Sequence, residues 1–240
     1  MPEKLEIAVF CDFDGTVTKL DIGDELFKNF GEFEPYHTDL RNGRLNIRDY
    51  WKILCSSLRH DVDKEKLESF ASEIEVDPYF EQFVRFCNNN SIPVAILSDG
   101  FDVYIEPVLR KLGLEEMKVF CNKMIFNGKS AIVPNYKYAS ESCECLCASC
   151  KRNAMLEYVD DETIIVFAGD DYSDFCAAEH SDIVFAKKKL AAWCNEKRIP
   201  HYPYSNFFDV MRILKKLIEG KKLKIRHQAK IKRMKAFETE

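Results

Sequence analysis

No apolar run in the sequence approaches the ~18–20 residues a helix needs to span a bilayer, which argues against a helical membrane protein. The amino terminus, Met1-Pro2-Glu3-Lys4-Leu5-Glu6, is polar and leads directly into an apolar segment, leaving no room for a secretory signal. A cytoplasmic location is therefore expected. Internal repeats and low-complexity segments are also missing, which excludes a repeat array or a biased linker. Histidine is sparse and scattered. His37, His60, His180, His201 and His227 are isolated from one another and read as structural or exposed rather than catalytic. The last 30 residues carry 11 Lys and Arg against 3 acids, yet they have few aromatics and no nucleic-acid-binding motif. The rest of the chain has a balance of −13 and would repel a polyanion. The basic stretch reads as a solvated, partly frayed terminal helix, and neither nucleic acid nor membrane is expected as a partner.

What remains is the composition of an ordinary globular protein: 240 residues, 46% hydrophobic and 31% charged, enough for one or two domains with a substantial core. Ten cysteines are many for a cytosolic chain. Cys11, Cys55, Cys87, Cys121, Cys176 and Cys194 are scattered, mostly in apolar patterns, and read as small core residues. Cys143, Cys145, Cys147 and Cys150 crowd into eight residues. They admit three states: unpaired thiols, a metal site assisted by Cys121 or a partner chain, or a disulfide that a reducing cytosol disfavours.

Four short apolar runs, at 5–11, 92–97, 163–168 and 183–186, are nearly continuous rather than alternating, as strands buried on both faces are. Helical patterns separate them. Asp77-Pro78 reads as N-cap and N1 of a helix burying Phe80, Phe83, Val84 and Cys87, and a second helix carries Ile105, Leu109 and Leu112 up to Gly113. Strands alternating with helices predict an α/β fold, a Rossmann-like doubly wound parallel sheet. Between Thr18 and Asp77 the strand signal vanishes. Ile22, Leu26, Phe30, then Tyr50, Leu54, Leu58, then Leu67, Phe70, Ile74 recur at helical spacing, which predicts a helical insertion of about 55 residues covering the site. Residues 117–137 read as short antiparallel strands around Asn127-Gly128. The expected division is a core of residues 1–18 and 78–218, a cap of 19–77 and a basic tail of 219–240.

In such a sheet, ligands bind beyond the carboxyl ends of the strands. The first three runs lead into Asp12–Gly15, Ser98–Gly100 and Gly169–Asp174, so their polar ends converge. Asp12 and Asp14 stand two residues apart and can face one side. Carboxylates that close require a cation or a shared proton. Asp170, Asp171 and Asp174 add acids for a hard divalent cation, Ser98 a hydroxyl beside turn amides for an anion, and Lys151 a positive charge. Phosphoryl transfer uses all of these, with aspartate as nucleophile. Asp170 and Asp174 alone could cap the helix that follows them, and Lys151 alone could be a surface lysine.

Together these motifs resemble the haloacid dehalogenase-like phosphatases. Their DxDGT motif is matched by Asp12–Thr16, their second motif by Ser98, their third by Lys151 and their GDxxxD motif by Gly169–Asp174. The resemblance covers residues of roughly 5–205 and implies the following roles. Asp12 attacks phosphorus. Asp14 protonates the leaving oxygen and then activates water. Mg2+ is held by the Asp12 carboxylate, the Asp14 carbonyl and Asp170, supported by Asp174. Ser98, the amide near Gly100 and Lys151 hold phosphoryl oxygens. A cap between the first and second motifs is that of the C1-capped members, which act mainly on small phosphorylated metabolites. Within them, Cys121-Asn122, the stretch 143–151, the stretch 183–186 and His201-Tyr202-Pro203-Tyr204 resemble the methionine-salvage branch, which dephosphorylates 2-hydroxy-3-keto-5-methylthiopentenyl-1-phosphate. Phosphoserine phosphatases are the alternative. Asp21 stands where they carry a substrate-binding glutamate, and Leu54 falls where they carry an arginine for the substrate carboxylate, unless Arg48 or Arg59 substitutes. A phospho-acceptor or phosphate-binding domain without turnover is the alternative of another class. Receiver domains share the sheet, acids and lysine but lack the second aspartate and the cap.

Overall fold

The computed structural model describes residues 6–127, 131–138 and 147–238. Among them, seven strands form one sheet: β1 (Ile7–Cys11), β2 (Val94–Phe101), β3 (Lys118–Asn127), β4 (Ala131–Asn135), β5 (Ile164–Gly169), β6 (Ile183–Ala186) and β7 (Tyr202–Pro203), in the order β4-β3-β2-β1-β5-β6-β7. Every pairing is parallel except β3 with β4. The chain leaves β1 toward β2 on one side and later reaches β5 on the other, so β1 is the switch point where a crevice opens. The apolar runs are strands because both faces are covered. Val9 and Cys11 join one core with Phe80, Phe83, Phe207 and Leu214, while Ala8 and Phe10 join another with Met155, Ala177 and Leu190.

Helices α1 (Ile22–Phe30), α2 (Tyr36–Arg41), α3 (Ile47–Ser56) and α4 (Lys64–Glu73) lie between β1 and β2. Asp21, Asn46 and Asp63 cap α1, α3 and α4 by accepting the N3 amide. A single bridge between Thr18 and Val76 closes this excursion at its base. The remaining helices are α5 (Phe80–Asn89), α6 (Asp102–Lys111), α7 (Lys151–Tyr158), α8 (Phe175–His180), α9 (Lys188–Glu196), α10 (Phe207–Glu219) and α11 (His227–Glu238).

Three local readings need correction. Asp77 does not cap α5, whose first residue is Phe80. Its carboxylate instead accepts the Tyr79 amide at 2.9 Å and the Phe207 amide at 3.1 Å, joining the starts of α5 and α10. The part of 117–137 ahead of Gly128, read as short strands, is one strand, β3, which pairs with β2 over its first half and with β4 over its second. The basic C-terminal stretch keeps most of its lysines exposed, as expected, but two of its arginines dock it onto the core. Arg226 donates to the carbonyls of Ala178, Glu179 and Ser181 at the end of α8, and buried Arg233 donates to the His180 carbonyl and Asp182. Arginine's fork fits the bare carbonyls that every helix leaves at its C-terminus, which composition alone does not reveal. Among the described residues, no helix is long and apolar enough to cross a membrane.

Candidate active site

Asp12 leaves β1 still in register, its amide donating to the Ala168 carbonyl at 2.9 Å. The chain then coils around the Phe13 carbonyl, which accepts the amides of Thr16, Val17 and Thr18. Gly15 makes the turn possible: its φ is +75°, and a Cβ there would lie 2.6 Å from Asp170 Oδ2. The turn brings Asp12 and Asp14 into one cleft of about 410 Å³, which Ser98, Gly100, Asp170, Asp171 and the candidate substrate residue Asp21 also line.

Lys151, the first residue of α7, reaches into the same place with a side chain only 1% exposed. Its ammonium donates to Asp12 Oδ1 at 2.6 Å, Asp174 Oδ1 at 2.6 Å and Ser173 Oγ at 3.0 Å, so its three protons are all engaged. Burial alone would lower its pKa, but the two carboxylates outweigh that and hold it charged. Asp174 is also fully used. Its other oxygen accepts the amides of Asp170 at 2.7 Å and Asp171 at 3.1 Å. Asp170 accepts the Thr16 hydroxyl at 3.3 Å on one oxygen and the Lys188 ammonium at 2.7 Å on the other. Asp171 caps the short 3-10 turn Tyr172–Asp174 and pairs with Lys189 at the rim.

Asp12, Asp170 and Asp174 offer oxygens that all lie within 4.8 Å of one another, all three residues buried. Withdrawal from water, then the neighbouring Asp174 charge, push Asp12 well above the usual carboxylate range, and Lys151 pulls it back. Asp170 is raised for the same two reasons, with Lys188 opposing. Oxygen-only donors whose mutual repulsion exceeds the one buried cation fit a hard divalent ion.

Asp14 is held differently. Its Oδ1 accepts the Ile22 amide at 2.9 Å, and its Oδ2 accepts the Tyr104 hydroxyl at 3.1 Å, with the Ser98 hydroxyl at 3.5 Å. Shielding from water, then Asp21 and Asp12, raise its pKa well above the ordinary value. Ser98 Oγ accepts the Gly100 amide at 3.0 Å, so Gly100 orients Ser98. Asp21 is occupied as the α1 N-cap, and desolvation with the nearby Asp24 charge pushes its carboxyl up to about 7. Of the clustered cysteines, Cys143 and Cys145 lie outside the described residues, and Cys150 is the N-cap of α7.

From α2 and α3 the cleft is lined by Leu40, Ile47, Tyr50 and Trp51. Leu54 is fully buried in the core, and neither Arg48 nor Arg59 lines the cleft. Among the described residues, the lining cations are Lys188 and Lys189, paired with Asp170 and Asp171.

Sequence reasoning missed Tyr104 and Lys188. Tyr104 falls on the buried stripe of α6 and looks like core. Lys188 stands just past β6, and the rule that located the other strand ends would have found it.

The haloacid dehalogenase-like hydrolase family profile matches residues 9–179. A 2-hydroxy-3-keto-5-methylthiopentenyl-1-phosphate phosphatase of Lysinibacillus sphaericus is 30% identical over 224 residues, covering 88% of this chain and 95% of that one. A protein of the same name from Brevibacillus brevis is 28% identical over 218 residues, covering 88% and 96%. A substrate-bound phosphoserine phosphatase superposes with a TM-score of 0.66 at 20% identity, over 88% of this chain and 99% of that one, a likeness of fold. With its motifs in order around one cleft and this match, the chain belongs to the haloacid dehalogenase-like hydrolases.

Proposed function

We propose that the protein is a Mg2+-dependent phosphomonoesterase that works through an aspartyl-phosphate, with 2-hydroxy-3-keto-5-methylthiopentenyl-1-phosphate as its substrate. The observation that carries this reading is the pair of unlike aspartates. Asp12 has one oxygen fixed by a buried ammonium at 2.6 Å, and Asp14 has a raised pKa and stands beside it. An anchored carboxylate can present its other oxygen to phosphorus, and a carboxyl with a raised pKa keeps a proton to give.

In the first step an Asp12 oxygen forms a bond to phosphorus as the bond to the leaving oxygen breaks. Asp14 delivers its proton to that oxygen. In the second step Asp14, now a carboxylate, takes a proton from water as the water oxygen attacks phosphorus, which frees phosphate and regenerates Asp12. The Asp12 carboxylate, the Asp14 carbonyl and Asp170 would hold the metal, with Asp174 supporting through the Asp170 amide. The bound ion would neutralise charge developing on the transferring phosphoryl group. Ser98 and the turn at Gly100 would receive phosphoryl oxygens, and Lys151 would keep Asp12 aimed. Residues 19–77 would act as the cap that closes over a bound metabolite.

The substrate assignment draws on the names of the two relatives and on the cap wall. Leu40, Ile47, Tyr50 and Trp51 suit an uncharged, partly apolar tail, and the lining lysines are already paired with acids. A substrate carboxylate would meet Asp21 and Asp24 there instead of a cation. The test is a panel of phosphorylated metabolites with Mg2+, expected to give the highest kcat/KM for the methylthiopentenyl phosphate. A preference for phosphoserine would refute the substrate, full turnover by Asp12→Asn would refute the mechanism, and no hydrolysis even of an aryl phosphate would leave a phosphate-binding protein.

A further inference from the structure

Asp99 stands on β2 where the strand slips out of register with β3, between Leu97 and Phe101. One carboxylate oxygen, Oδ1, accepts two successive amides from the segment before α7, Ala148 at 2.5 Å and Ser149 at 2.7 Å. The next amide, that of Cys150, donates to the Tyr138 carbonyl at 2.9 Å, and Lys151 follows as the first residue of α7. Three consecutive amides ahead of Lys151 are thus fixed from outside their own segment. Asp99 is itself held, because the Asn122 side chain donates to its carbonyl at 2.7 Å.

This anchoring bears on a demanding geometry. Lys151 must cross the interior and hold three acceptors at 2.6–3.0 Å, with its ammonium between Asp12 and Asp174. The α7 helix has only eight residues, too few to fix its own start in water.

We propose that Asp99 is a positioning residue: by clamping the Ala148 and Ser149 amides it sets the start of α7, and so keeps the Lys151 ammonium on Asp12. It also couples two parts of the site, since Asp99 follows Ser98 directly on β2. The clamp itself is independent of what the enzyme hydrolyses. Its effect on turnover rests on the phosphatase reading above.

The test compares the full-length protein with Asp99→Asn and Asp99→Ala by two readouts. The first is the rate at which each lysine is acetylated by an amine-reactive ester, resolved by peptide mass spectrometry without substrate. Lys151 is expected to be protected in the parent and to react about tenfold faster in Asp99→Ala, through local opening, while exposed Lys19 and Lys52 keep their rates. Asp99→Asn keeps an acceptor oxygen for the two amides and is expected to fall between. The second readout is aryl phosphate hydrolysis with Mg2+, where kcat should fall by up to about 10²-fold in Asp99→Ala, as for a displaced catalytic group, with KM nearly unchanged. Unchanged Lys151 protection in Asp99→Ala would overturn the proposal. So would a rise in KM alone, which would make Asp99 a substrate contact, or labelling that rises as much at half-buried Lys66, Lys187 and Lys230 in both variants, which would make it a residue of the fold as a whole. Because the labelling needs no turnover, an inactive parent protein would refute the phosphatase reading and leave the clamp to be judged separately.

Discussion

The Tyr104 hydroxyl donates to Asp14 Oδ2 at 3.1 Å from a fully buried position on α6. A donor aimed at a carboxylate favours its charged form. It therefore opposes the shielding and the Asp21 and Asp12 charges that raise the Asp14 pKa. Tyr104→Phe removes that opposition, so Asp14 should keep its proton to a higher pH. Under the proposed mechanism, kcat/KM for an alkyl phosphate reports protonation of the leaving oxygen by Asp14, and its falling alkaline limb should move to higher pH in the variant. A limb that stays put or moves to lower pH would remove Asp14 from the role of acid.

Gly100 is the position that lets this contact form. A Cβ there would overlap the Tyr104 hydroxyl and lie 2.9 Å from Asp14 Oδ2. Gly100→Ala should therefore displace the phenol and the acid together and lower kcat by about 10²-fold, as a small misplacement of a catalytic group does. Gly100→Ala combined with Tyr104→Phe should lose little beyond Gly100→Ala alone, because both changes break the same contact. Steady-state kinetics of the two single variants and the double variant decide it, and additive losses would show that Gly100 acts elsewhere.

The strand ends were legible because they obey local rules. Asp12, Ser98 and Asp170 each follow a run of residues buried on both faces, and a parallel sheet gathers such ends. The helices between β1 and β2 were legible from spacing and lacked only α2, a six-residue helix with no buried residue to give it a pattern. Tyr104 and Asp99 were hidden for a different reason. Their partners lie 90 and about 50 residues away, and helical or strand spacing says nothing about a contact so distant along the chain. Arg233 was hidden likewise: it reads as one more cation in a basic stretch until Asp182 is found opposite.

Removing Lys151 should destabilise the fold as well as stop turnover. Its ammonium is the buried counter-charge for Asp12 and Asp174, and deleting one partner of a buried ion pair costs about 3–5 kcal/mol. Lys151→Ala measured by urea unfolding near neutral pH with a chelator present should show a loss of that size. The loss should shrink as pH falls, because Lys151 is one of the groups that lower the Asp12 pKa, and without it Asp12 takes up a proton sooner. A loss that grows in acid would mean that Asp12 is not the group left uncompensated.

The crowded acids also set how metal and pH act on the whole protein. The carboxyls of Asp12, Asp14 and Asp170 are raised by withdrawal from water and then by neighbouring carboxylates, Asp174 for Asp12 and Asp170 and Asp21 for Asp14, and burial pushes Asp99 up to about 7. In the unfolded chain all four return to about 3.9. Between these limits the folded state binds more protons than the unfolded one, so stability declines with rising pH. Their contribution is fully present below about pH 4 and is lost as pH rises through the raised folded values, near 7 for Asp99. A divalent cation binds the charged form and should reverse the trend at the site, adding about 2.7 kcal/mol at a concentration 100 times its Kd. Thermal unfolding at pH 5 and pH 8, each with a chelator and with Mg2+, is expected to show the larger Mg2+-induced rise in Tm at pH 8. Asp170→Asn should abolish most of that rise, because it removes a proposed ligand, and should raise Tm in chelator at pH 8, because it removes a repelling charge. An Mg2+ effect equal at both pH values, or retained in Asp170→Asn, would place the ion somewhere other than among these carboxylates.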